Sequence, residues 1–284
     1  MLFLPGSLGL FMAPGMASPS CSSAIDETGG QLCSTRVGID APCRHRMGSA
    51  GARWRETRHM TAPWLVISPH FDDAVLSCGH LLARSPGSIV LTVCSGIAPS
   101  GVAASDWDEA GGFATAEEAT LGRRGEDAKA LRVLGASQVT ADILDGPYRT
   151  STSDVHERAT HWIETVIDEV TPQRIVIPLG SPDHGDHVLT REVAMAAART
   201  RRPSDTYLYA DLPYFIGRNA DGMAETFGAT YAAQPEVDVG LVEKKAAALS
   251  HYRSQLVLLA QSFGGHFGAV FIPGVERMYA VDTE

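Results

Sequence analysis

The stretch Trp64-Leu65-Val66-Ile67-Ser68-Pro69-His70-Phe71-Asp72-Asp73 decides how this chain is read. Trp64 to Ile67 is a short apolar run of the kind that forms a buried strand, and Ala74 to Ala83 carries on as a helix-like run. A strand that ends in His-x-Asp-Asp and turns into a helix sets an imidazole and two carboxylates at the C-terminal edge of a sheet, where open α/β sheets bind ligands. His70 and Asp73 are three residues apart, so one turn of backbone can aim both at one point while Asp72 points elsewhere. Two metal ligands beside a spare carboxylate are what a metal-activated water needs. The plainer alternative is that Asp72 or Asp73 only caps the following helix, a position Asp favours.

A second cluster, Ser181-Pro182-Asp183-His184-Gly185-Asp186-His187, repeats the arrangement. It follows the strand-like Arg174 to Leu179 and opens a helix from Val188 to Arg199. His184 and His187 supply one ligand and one free imidazole, and Asp186 is placed to orient an imidazole from behind. A lone His-x-x-His in a loop is weak. Two such clusters at equivalent strand ends point to a shared metal site, with zinc favoured by mixed His and carboxylate ligands.

Between and beyond these clusters, apolar runs alternate with helical patterns. Ser88 to Cys94, Gln138 to Leu144, Tyr207 to Ala210 and a segment near Ala229 to Val239 read as strands. Helices are expected at about Ala119 to Leu134, Val155 to Val170 and Val242 to Ala260. The alternation predicts an α/β, Rossmann-like single domain with a largely parallel sheet and helices on both faces. No Gly-x-Gly-x-x-Gly follows a strand and no P-loop is found, so a nucleotide site has no support.

On these residues the chain resembles the zinc-dependent N-deacetylases of the PIG-L (LmbE-like) superfamily. The resemblance runs from about Trp64 to near the C-terminus. Arg123-Arg124-Gly125-Glu126-Asp127 resembles the family's Arg-bearing helix, and Tyr252-Arg253-Ser254-Gln255 its late helix. The commonest family motif reads Pro-His-Pro-Asp-Asp-Glu, whereas Phe71 and Ala74 stand here for the second proline and the glutamate. The resemblance implies His70, Asp73 and His187 as ligands of one zinc per chain, and Asp72 as general base. It also implies that His184 stabilises the oxyanion, as an imidazolium held by Asp186. The same donors accept Fe2+ or Co2+.

With 284 residues the chain can bury one large core. Residues 60–284 are expected to form the deacetylase domain. Residues 1–59 are rich in Gly, Ser, Pro and Met and show no periodicity; they are expected to be a disordered extension or translation from an early start, with Met60 a natural beginning. No basic start precedes the mildly apolar Leu2 to Met16, which Pro5 and Pro14 interrupt, so neither a signal peptide nor a membrane span is expected. The cysteines follow no disulfide or zinc spacing, and a cytoplasmic enzyme is the default. A net charge of −10 argues against nucleic acid or an anionic membrane as partner; a homo-oligomer is compatible with the sequence.

Substrate contacts are sought in the loop Gly96 to Thr115, which leaves the same sheet edge. Trp107 beside Asp108 suits stacking on a sugar face while accepting hydroxyl hydrogen bonds, although anchoring the loop explains the Trp equally well. Arg123 matches the family's substrate-contacting arginine, and Asp145 ends the third strand before Gly146-Pro147; a surface ion pair and turn capping are their plain readings. His251 and His266 are distant candidates. The expected function is a zinc-dependent hydrolase that removes an N-acyl group from a small-molecule amino sugar or glycoconjugate. The alternatives are a thiol-conjugate amidase, a tailoring deacetylase for a secondary metabolite, or a catalytically silent metal-containing sugar-binding module.

Overall fold

In the computed structural model, residues 63–282 are described, apart from 152 and 273; the expectation for residues 1–59 therefore lies outside the described residues. The run after Pro63 forms β1 (Leu65–Ser68), whose side chains alternate between two buried surfaces. Leu65 and Ile67 pack on one face of the sheet with helices α4 (Val155–Val170) and α5 (Gly185–Arg201). Trp64 and Val66 pack on the other face with α1 (Asp73–Arg84) and α3 (Ala116–Leu134). Burial on both faces is why the strand reads as a continuous apolar run rather than an alternating one.

β1 lies at the centre of a seven-stranded sheet of order β3-β2-β1-β4-β5-β7-β6. Strands β2 (Ile89–Cys94), β3 (Ser137–Ile143), β4 (Arg174–Pro178) and β5 (Asp205–Tyr209) continue it in parallel. The strand order reverses between β1 and β4, so the two clusters found in the sequence stand side by side at the switch point. The Rossmann-like expectation, helices on both faces included, is met. The parallel run ends at β5, where β7 (Met278–Val281) and β6 (Ala229–Ala232) pair antiparallel. The strand expected to reach Val239 is thus a four-residue edge strand, and β7 had no expectation.

Two interruptions shape the site. Helix α1 is broken at Cys78, where φ −132° and ψ 19° leave the helical region. There the carbonyl of Leu76 accepts from Lys245 Nζ at 2.8 Å, and the amide of His80 donates to Glu276 at 3.0 Å. A buried Lys245–Glu276 ion pair, 2.7 Å long, is spliced into the gap left by the missing i to i−4 bond. Gly79 makes room for it: a Cβ there would sit 2.7 Å from the lysine stem.

The single helix expected from Val242 to Ala260 is two, α7 (Val239–Leu249) and α8 (Arg253–Phe263). Tyr252 turns inward at the junction, donating to Asp127 Oδ1 at 2.6 Å, and Glu126 of α3 accepts from Ser254 N and Oγ. A carboxylate from α3 thereby caps the new helix start, which periodicity along one segment does not reveal. The break swings α8 toward the short α2 (Asp106–Ala110), where Trp107 Nε1 donates to Gln255 Oε1 at 2.9 Å. None of the described helices is long and apolar enough to cross a membrane.

Candidate active site

At the switch point the loop after β1 is tied down by Ser68, whose Oγ donates to His70 O at 2.6 Å and accepts from Ala74 N at 3.1 Å. Ser68 therefore does the work that the plain reading gave to an aspartate, and Asp72 makes no side-chain capping bond. Asp73 folds back instead, its Oδ2 accepting from the His70 amide at 3.0 Å. On the neighbouring strand β4, Gly180 takes φ +81°, a conformation that L side chains rarely adopt, and donates its amide to Asp211 Oδ2 at 2.9 Å. From that turn α5 presents His184 and His187 across from His70.

The three imidazoles offer nitrogens within 4.8 Å of one another. Asp73 Oδ2 lies 3.3 Å from His70 Nδ1 and 3.4 Å from His187 Nε2. The His70 and His187 rings are held from behind by carboxylates. His187 Nδ1 is 2.6 Å from Asp211 Oδ1, and His70 Nε2 is 3.3 Å from both Asp186 and Asp145. A carboxylate behind an imidazole takes its N–H, so the opposite nitrogen carries the lone pair. On both rings that opposite nitrogen faces the Asp73 carboxylate. His187 Nε2 is fully buried and has no hydrogen-bond partner among the described residues. Carboxylates on both sides of these rings call for positive charge: burial lowers His70, but Asp145 and Asp73 outweigh it and raise its pKa well above the ordinary value, and a divalent cation among the same atoms supplies that charge in place of protons. The donor set thus fits a divalent metal of the zinc type.

Charge in the site follows from burial and neighbours. Burial pushes the Asp72 carboxyl up to about 6, with the Asp73 charge adding to it and His70 and Arg123 opposing. For Asp73, burial is outweighed by His187 and His70, which hold it below the ordinary carboxylate value. Burial likewise works against Asp145, but His70 and Arg123 keep it low. His184 is pushed down to about 4, first by burial and then by His70 and His187. These influences favour its neutral form. Asp186 is committed elsewhere: its Oδ1 pairs with Arg149, and its Oδ2 accepts from Gly146 N at 2.9 Å. His184 Nδ1 is buried with no partner among the described residues.

These groups floor a cavity of about 480 Å³. Trp107, Asp108, Arg123 and Asp145, the candidates for substrate contact, all line it. Trp107 is 37% exposed and its N–H is already engaged by Gln255, so the indole offers its ring. Asp108 is 1% exposed: it pairs with Arg123 and accepts from Tyr148 and from Ser105, at 3.1 Å for the latter. The expected role of Asp108 as an acceptor for sugar hydroxyls is thus taken up by protein groups. Arg123 NH1 also reaches Asp145, at 3.6 Å. His251 and His266 do not line the cavity.

Sequence reasoning missed Asp211, Arg149 and Tyr214. Asp211 follows the strand run Tyr207 to Ala210, so the rule that led to the two clusters, applied to a third strand end, would have found it. Tyr214, whose ring stands 4.8 Å from that of His187, carries no such signal.

The chain has counterparts among known proteins. The family model for PIG-L, GlcNAc-PI de-N-acetylase, matches residues 65–198. Among solved structures, the A40926 pseudoaglycone deacetylase Dbv21 is 28% identical with a TM-score of 0.63, over 79% of this chain and 100% of that one. A deacetylase–teicoplanin complex is 26% identical with a TM-score of 0.62, over 78% of this chain and 100% of that one. The zinc-inhibited form of teicoplanin deacetylase Orf2 is 25% identical with a TM-score of 0.64, over 77% of this chain and 97% of that one. No curated protein sequence matches the chain. Sheet order and likeness to solved deacetylases point the same way: over residues 65–198 the chain is similar to the PIG-L (GlcNAc-PI de-N-acetylase) family, and the solved structures it resembles at 25 to 28% identity are deacetylases.

Proposed function

We propose that this enzyme removes an N-acyl group, most simply acetyl, from an amino sugar carried on a larger conjugate, using zinc and a water activated by Asp72. The observation that carries the reading is the convergence of His70 Nδ1 and His187 Nε2 on the Asp73 carboxylate beside a second, protonatable carboxylate. The solved relatives act on teicoplanin and on the A40926 pseudoaglycone. They favour the tailoring of a secondary metabolite over a thiol-conjugate amidase, and we place the reaction in the cytoplasm.

In this reading His70, Asp73 and His187 hold the metal. A zinc ion there supplies Lewis acidity to the acyl carbonyl and makes hydroxide available near neutral pH. Asp72 accepts the proton of the attacking water, and the same carboxyl then delivers it to the departing amine. A carboxyl pushed up toward neutrality suits both halves of that exchange. His184, neutral and poised over the same space, donates its N–H to the oxygen as negative charge develops there. Asp211, Asp186 and Asp145 keep the two ligand rings in the tautomer and orientation that binding needs.

The test is Asp72→Asn assayed for release of free amine from an N-acetylglucosaminyl glycoside, with metal content measured on the same sample. Turnover is expected to fall by about 10²- to 10⁴-fold while zinc stays at one equivalent. A variant that keeps its rate overturns the assignment of the base. A wild-type protein that binds zinc and sugar without turnover returns the reading to a binding module.

A further inference from the structure

The walls of the cavity carry five carboxylates, Asp72, Asp73, Asp108, Asp145 and Asp186, against two guanidinium groups. Neither guanidinium is free. Arg123 is pinned by Asp108 with Asp145 on its other side, and Arg149 by Asp186. Asp108 is held in place to do this, because Tyr148 and Ser105 both donate to it and its backbone amide caps onto Ser105 Oγ. No lysine lines the cavity. A divalent metal offsets only part of the negative excess, and the arginine nearest the entering substrate has its charge answered before the substrate arrives. On the outer wall the Trp107 N–H is likewise spent, on Gln255.

Resting on the deacetylase reading above, we propose that the cavity selects amino sugars that are neutral or cationic on the reacting unit and rejects those bearing a phosphate, sulfate or carboxylate. Asp108 sets this preference by occupying Arg123. An anionic group brought to this cavity meets like charge at close range in a partly desolvated space, where such contacts discriminate strongly. Arg123, which the sequence marks as a contact for substrate, then acts as an internal counter-ion, and its partner decides which sugars enter.

The experiment uses the zinc-loaded full chain with three sugars of one shape: methyl N-acetylglucosaminide, its 6-sulfate and its 6-amino-6-deoxy analogue. Sulfate is chosen because it is a poor zinc ligand. The kcat/KM for the sulfate is expected at least about tenfold below that of the parent, with the amine equal to or above the parent. The gap narrows as ionic strength rises. In Asp108→Asn, which releases Arg123, the sulfate gains about tenfold relative to the parent; in Arg123→Gln it loses further ground. Ratios between substrates are read, so a partial loss of folded protein does not affect the comparison. A sulfate that equals the parent in the wild type overturns the proposal. If none of the three is deacetylated, the deacetylase reading fails on its own, and calorimetric titration with the same sugars judges the charge preference. Equal affinities, or no binding by any of them, overturn it.

Discussion

Asp211 shows what a single buried carboxylate contributes here. It reaches His187 from behind at 2.6 Å while fixing the β4 turn through Gly180. Asp211→Asn keeps the shape and removes the charge that favours the Nδ1–H tautomer, so zinc affinity measured against a competing chelator is expected to fall about 10- to 100-fold. An unchanged affinity would mean that the turn alone positions the ring. Asp127 makes a different prediction. Burial pushes its carboxyl up to about 7, although Tyr252 and Gln138 donate to it. The native state therefore holds a proton that the unfolded chain releases near pH 4, and stability is full below that pH and declines as pH rises toward 7. The decline is worth a few kcal/mol, roughly. Urea unfolding at pH 5 and pH 7.5 reads it, and in Asp127→Asn that slope should flatten. Legibility at this scale follows chain distance. His70, Asp72, Asp73, His184 and His187 stood out because each cluster is contiguous and sits where a strand hands over to a helix. The partners of Asp186 and Asp108 did not, since both are committed to arginines 37 and 15 positions away, at separations no local pattern encodes.

Among the elements, α1 carries Asp72 at its N-cap, Asp73 in its first turn and a break in its middle. The Lys245–Glu276 pair that fills the break is fully enclosed, with the lysine 0% exposed. Removing one member of such a pair leaves the other charge buried without an answer, at a cost of about 3 to 5 kcal/mol. Lys245→Met and Glu276→Gln are each expected to lower stability on that scale in urea unfolding. The double variant should recover much of the loss, and if it does not, the backbone bonds to Leu76 and His80 matter more than the charges. Strands were read well because burial on both faces writes a plain apolar run. The split between α7 and α8 was not, because a continuous helical pattern from Val242 to Ala260 is compatible with either outcome until Glu126 and Asp127 act on it from α3.

For the molecule as a whole, the proposed metal ligands come from the ends of two neighbouring strands, β1 and β4, and one of them is braced by Asp211 after β5. Metal bound there holds three strand ends together and binds only the folded chain. At a free zinc concentration 100 times its Kd, the linkage is worth about 2.7 kcal/mol. Thermal unfolding with and without a chelator should show a melting temperature higher by about 5 to 10 °C in the loaded protein. Equal values would place the ion outside this site. The parallel core and its switch point followed from alternation of elements, whereas the antiparallel pair β7 and β6 did not, because both are only partly buried and write no continuous apolar run. The splice in α1 has a consequence for how such a chain changes over generations. Gly79 has no room for a methyl group because the Lys245 stem fills the space, and among the described residues Lys245 has no counter-ion but Glu276. Lys245 and Glu276, 31 residues apart, are therefore best replaced together, and Gly79 can gain a side chain only once the lysine stem has gone, so the three positions should drift in a linked order.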